Sequence, residues 1–134
     1  MENKIKHLEL IQAVIGRMAN NSFLLKGWSV VLVSAFFALA ARDANPSFVY
    51  LAYFPALSFW ILDGYYLWQE QLFRALYDHV RGLPEDRIDF SMNTSIVKNK
   101  KISWCTAIYS DTICIFHLTT TFSIIIVMVV ILLT

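Results

Sequence analysis

From Ile113 to Thr134 the chain is 22 residues of almost uninterrupted hydrocarbon, broken only by His117, Ser123 and a few threonines. A bilayer core takes about 20 apolar residues in helical form, so a run of this length reads as a membrane span. Composition points the same way: hydrophobic residues make up 57% of the 134-residue chain and charged residues 16%, against about 25% charged in an average soluble domain. The net charge of +1 offers no basic surface for nucleic acid.

Two further apolar stretches precede that run. Phe23 to Ala41 is apolar apart from Lys26 and the serines, and reads as the first span. Before it, Ile5, Leu8, Ile11, Ile15 and Met18 recur at helical spacing, with Lys4, Lys6, Glu9, Gln12 and Arg17 between them. This is the pattern of an amphipathic helix. The second span opens after a short polar turn, Arg42 to Pro46, in which Asn45 and Pro46 have the chemistry of an N-cap and a first helical residue. Pro55 lies inside this span and is expected to kink it. No further proline occurs until Pro84, and Gly82 supplies a C-cap signal. A helix from Pro46 to Arg81 would be about 54 Å long at 1.5 Å per residue, well beyond a hydrocarbon layer of about 30 Å. Several turns must then stand clear of the lipid.

The fold expected is therefore an all-α membrane protein with three transmembrane helices in one domain. Residues 1–22 form a cytoplasmic amphipathic helix that continues into a span over 23–41. A second span over 46–64 continues as a cytoplasmic helix over 65–81. A cytoplasmic loop follows over 82–102, and a third span covers 103–134. The first two helices make a long antiparallel hairpin reaching into the cytoplasm. Lysine and arginine set the orientation. Four precede or enter the first span (Lys4, Lys6, Arg17, Lys26), one lies in the short turn (Arg42), and six lie between the second and third spans (Arg74, Arg81, Arg87, Lys98, Lys100, Lys101). The positive-inside rule then puts the N-terminus in the cytoplasm and Thr134 outside. Ala38-Leu39-Ala40 resembles a leader-cleavage site, but the long amphipathic segment before it argues against a cleaved signal peptide.

In such a hairpin, residues whose numbers sum to about 89 share a depth. Lys26 and Asp63 meet this condition near the cytoplasmic edge of the hydrocarbon, where a lone charge is costly and a paired one is tolerated. An ion pair between them is expected. The same register brings Arg17 near Glu70 and Glu9 near Arg81. His7 and His79 are expected on the surface of the hairpin. Asp111 lies near the same level as Asp63, two residues before the hydrophobic run of the third helix. His117, with Thr119, Thr120 and Thr121, forms a polar patch inside that span. Helix-to-helix hydrogen bonding is its plain reading; a pore lining is the functional one. Cys105 and Cys114 lack a metal-ligand spacing, and there is no phosphate loop, H-E-x-x-H or C-x-x-C motif. Neither a catalytic residue nor a metal or other cofactor is expected.

Arg17 to Phe23, followed by Lys26-Gly27-Trp28, and then Phe59 to Leu67 with Phe73 to Tyr77, resemble a family of small bacterial multi-span membrane proteins. That family is similar to the membrane accessory and effector components of anti-phage defence systems. The resemblance implies a bacterial inner-membrane protein that acts as a homo-oligomer, opening a pore or perturbing the bilayer. Its partners would be lipid, further copies of itself and a soluble cytoplasmic protein. A non-conducting anchor, docking such a soluble partner through the hairpin, is the alternative.

Overall fold

The structure is a computed structural model and describes residues 1–43 and 45–134. Helix accounts for 84% of it and no strand occurs among the described residues, which makes the class all-α. Four α-helices follow in order: α1 (Glu2–Asp43), α2 (Ser47–Arg81), α3 (Trp104–Ile108) and α4 (Asp111–Leu133). Single turns of 3-10 helix at Glu85–Arg87 and Thr94–Val97 punctuate the segment between α2 and α3.

Helix α1 is a 42-residue rod. Its buried and half-buried seam runs through positions 7, 11, 15, 18, 22, 25, 29, 33, 36 and 40, three every eleven residues. That repeat lies close to the 3.6-residue turn, so the seam drifts only slowly around the rod. Helix α2 packs along this seam in the opposite direction. At the end nearest the connection, Val33 and Ala40 of α1 share a core with Val49, Ala52 and Ala56 of α2 and with Ile124 of α4. The alanines let the backbones approach closely. At the far end, Ile11 and Ile15 interlock with Leu76 and Val80. Each such side chain contributes about 1.5–3 kcal/mol when taken out of water. The expected turn at Arg42–Pro46 includes Ala44, which lies outside the described residues. Asn45 Oδ1 accepts the Ser47 N–H at 3.0 Å, satisfying one orphan donor at the start of α2.

Helix α2 runs unbroken through Pro55, which is buried. The ring removes one backbone donor without ending the helix. At the other terminus Gly82 has φ −83°, and its N–H closes onto His79 O at 3.2 Å. The chain therefore leaves α2 without the left-handed turn that glycine permits.

Two helices are long and apolar enough to cross a membrane. Their best 18-residue windows, in α1 and α4, have mean hydropathies of 1.9 and 2.5, and only 17% and 11% of those windows are buried by the rest of the chain. Helix α2 does not reach that threshold, because Tyr50, Tyr53, Pro55, Trp60 and Asp63 dilute its apolar half. The last helical stretch also differs from the single rod expected over 103–134. It breaks at Tyr109–Ser110, where Ser110 turns extended (φ −66°, ψ 154°) before α4 begins. Serine followed by aspartate favours a new helix start over continuation of the old one.

The segment after α2 folds back over the far end of the α1–α2 pair. Ile88, Met92 and Val97 cover the Ile11–Val80 cluster. Glu85 caps the start of α1, accepting the Asn3 and Lys4 N–H groups at 2.9 and 3.2 Å and pairing with the Met1 ammonium at 2.7 Å. His7, expected on the surface, is fully buried here; its Nε2 lies 2.8 Å from Ser91 O and its ring packs on Phe90. Sequence spacing alone placed His7 on a two-helix hairpin and could not anticipate this third layer. His79 is exposed.

Candidate functional site: a buried carboxylate shared by three helices

Asp63 lies on the seam of α2 and is 0% exposed. Its partners come from both neighbouring helices. From α1, Lys26 Nζ lies 2.6 Å from Oδ2, and Ser22 Oγ donates to Oδ1. Ser22 and Lys26 are one turn apart, so both point along one face, and Lys26 Nζ also donates to Ser22 Oγ at 2.8 Å. From α4, His117 Nε2 donates to Asp63 Oδ2 at 2.8 Å. One carboxylate thus collects three donors and ties α1, α2 and α4 at a single level. A buried charge is tolerated only when paired and hydrogen-bonded, and both conditions hold here.

Aromatic rings enclose the cluster. Trp60 stacks on His117 with centroids 5.9 Å apart and planes 6° from parallel. Phe116 meets the same imidazole edge-on at 5.0 Å, and its ring also lies 5.9 Å from Lys26 Nζ. His117 is 1% exposed, whereas the Lys26 side chain keeps 25% of its surface. The lysine stem therefore spans the boundary of the cluster, with its charge directed inward.

Gly64, beside the carboxylate, gives α3 its seat. A Cβ there would collide with Ile108 Cγ1 and come within 3.1 Å of the Ile108 Cα. Because glycine leaves that space open, the two helices exchange hydrogen bonds. Trp60 Nε1 donates to Ile108 O, and Trp104 Nε1 donates to Ile61 O, both at 3.0 Å. Trp104 also stacks on Trp68 at 6.1 Å and meets Tyr65 edge-on. Tyr65, Trp68 and Trp104 thus gather in one cluster, with Trp60 about two turns from Trp68 along α2. Such amphipathic rings favour a membrane–water boundary.

Of the residues singled out from sequence, Lys26, Asp63 and His117 come together. Asp111 does not. It is exposed in the first turn of α4, six residues before His117 and so about 9 Å away along the axis. The cross-helix pairs Arg17–Glu70 and Glu9–Arg81 are not formed either. Glu9 pairs with Lys6 at 3.7 Å, Glu70 with Arg74 at 3.2 Å and Arg81 with Asp78 at 3.3 Å, each within its own helix. Arg17 is exposed and has no ion pair among the described residues. The reason is local reach: partners three or four residues away on one helix are already adjacent, while the seam between the helices is filled by Ile11, Ile15, Leu72 and Leu76. Such exposed pairs contribute only about 0.2–1 kcal/mol.

Thr119 and Thr120 return their hydroxyls to the carbonyls of Ile115 and Phe116, at 2.6 and 3.1 Å, and Ser123 does so to Thr119 at 2.9 Å. Together with Ser34 and Thr112 they line an open groove of about 470 Å³ between α1 and α4, whose remaining wall is Val30, Val33, Phe37, Ile115 and Phe116. Sequence reasoning missed Ser22 altogether and left His117 separate from Asp63. The i, i+4 spacing of Ser22 and Lys26 was a usable signal; nothing in the sequence fixed the register of α4 against α2. Comparison with protein-family models, curated proteins and solved structures found no match to this chain.

Proposed function

We propose that the chain is a bacterial inner-membrane effector that crosses the bilayer three times and works as a homo-oligomer, opening a pore or perturbing the membrane, in the setting of anti-phage defence. In this reading α1, α2 and α4 are the spans, with the Asp63 cluster and its aromatic ring near the cytoplasmic boundary. The far halves of α1 and α2 project into the cytoplasm as a hairpin, which receives the signal or a soluble partner.

The observation that carries the reading is the groove between α1 and α4. Ser34, Thr112, Thr119 and Ser123 are exposed there on helices otherwise made for lipid. Three spans enclose no water path on their own, so a row of hydroxyls turned away from the chain's own core fits a wall completed by further copies. Hydroxyls facing neighbouring membrane helices also favour helix–helix contact.

Reconstitution tests this. Liposomes carrying the pure protein are expected to leak a small dye or a monovalent ion, with particles larger than a monomer in lipid nanodiscs. Thr119→Leu with Ser123→Leu is expected to reduce the leak at least tenfold while the protein still inserts. Monomeric particles in tight vesicles overturn the proposal. They favour instead a non-conducting anchor whose hairpin docks a soluble partner, a reading supported by the way Asp63 locks the three helices within one chain.

A further inference from the structure

Just beyond the carboxylate, on the side toward the α1–α2 connection, three side-chain polar atoms are buried with no hydrogen-bonding partner on the protein: Ser29 Oγ, His117 Nδ1 and Thr121 Oγ1. Ser29 is 0% and His117 1% exposed. Their depth follows from the packing. Lys26 and His117 bond the same carboxylate and so lie within about a turn of one level. Seven residues further along each helix, Val33 and Ile124 meet in one apolar cluster. Helices α1 and α4 therefore advance in step between these points. Ser29, three residues past Lys26, and Thr121, four past His117, stand about 4.5 and 6 Å further along their own helices than those two residues. Along the bundle axis the three residues therefore fall within about one and a half turns of each other, between the ion pair and the Val33–Ala56–Ile124 cluster. The small side chain of Ala56 is α2's contribution to that cluster.

Leaving a buried donor or acceptor unsatisfied costs about 1–3 kcal/mol, and three together would be a heavy load. The chemistry of the three atoms states what would relieve it. In a neutral imidazole, donation from His117 Nε2 to Asp63 leaves Nδ1 as a bare acceptor. The two hydroxyls each give and accept. A ligand for this set must donate to a nitrogen while both donating to and accepting from oxygens, and water does so; buried waters typically make about three such bonds.

We propose that Ser29, His117 and Thr121 form a buried water-binding site. The bound water donates to His117 Nδ1 and fixes the neutral imidazole in the tautomer that serves Asp63. The site belongs to a single chain and holds whether or not the protein conducts.

The test uses the full chain in lipid bilayers with ¹⁵N-labelled histidine. Water-edited solid-state NMR is expected to transfer magnetisation from water to His117 Nδ1, with the ring proton on Nε2. Thr121→Val, which keeps the shape and removes the hydroxyl, is expected to abolish that transfer and lower the thermal midpoint in detergent. Ser29→Ala is expected to act in the same direction. No transfer in the unaltered protein overturns the proposal. So does a midpoint that holds or rises in Thr121→Val, since removing a dry, unpartnered hydroxyl relieves a penalty rather than creating one.

Discussion

Asp63 shows how one residue sets the energetics of its surroundings. A pair can be deleted from both sides at little cost, but this carboxylate serves three donors on two other helices. Removing it strands Lys26 and His117 together, and breaking a buried pair by losing one partner costs about 3–5 kcal/mol. Asp63→Ala is therefore expected to be the most destabilising change in the cluster, measured by denaturant unfolding in micelles. Lys26→Met is also expected to be costly, because it leaves the fully buried carboxylate hydrogen-bonded by Ser22 and His117 but without its lysine counter-charge. The double variant should not regain full stability, since His117 remains without its acceptor. The Lys26–Asp63 approach was legible in the sequence because it needs only a turn position and a common rise per residue. The contribution of His117 was not, because it depends on where α4 docks, and no spacing rule reaches across a loop. The long charged side chains Glu9, Arg17, Glu70 and Arg81 misled for a related reason: matching depth does not make a contact when a nearer partner lies on the same helix.

At the scale of the element, α3 shows why a continuous apolar pattern can conceal a joint. Residues 103–134 read as one helix by composition, yet five residues peel off to sit on Gly64, held by the two tryptophan bonds. The seat is steric. Gly64→Ala is expected to push Ile108 and its backbone outward, at about 1–3 kcal/mol for overpacking a close contact. It should also lengthen the Trp60–Ile108 bond, visible as a shifted Trp60 indole resonance. Ile108→Ala alone would leave the Trp60 bond in place, since its acceptor is a backbone carbonyl. The helices themselves were legible, because α1 and α2 have strong punctuation: Asn45-Pro46 at one boundary and Gly82 with Pro84 at the other. The Ser110 break was not, because its cue is a single capping residue in an apolar setting.

For the whole molecule, the segment after α2 closes the far end of the bundle through Glu85. The Met1 ammonium, ahead of the Lys4 and Asn3 N–H groups, holds this carboxyl below the usual glutamate range. A carboxylate whose acidity is greater in the folded state stabilises it above its unfolded value, near 4.5. That stabilisation fades as pH falls through the lower folded value. The closure is therefore expected to be intact at neutral pH and to loosen as pH falls below 4.5. Amide exchange at Asn3 and Lys4 should rise there, and Glu85→Gln should bring part of that rise to neutral pH. A flat exchange profile would separate the closure from Glu85. This third layer is where sequence and structure differ most. Its anchors are His7 and Phe90, the latter holding φ +58°; His7 opens the α1 seam, but Phe90 and Ser91, which cover it, lie outside any periodic segment.

Between Asp63 and Val80 helix α2 has no interruption, and α1 is equally unbroken from His7 to Lys26. Neither rod offers a break in its backbone ladder between the Glu85–Ser91 end and the level of the carboxylate, so the two ends are joined by continuous helix on both sides of the seam.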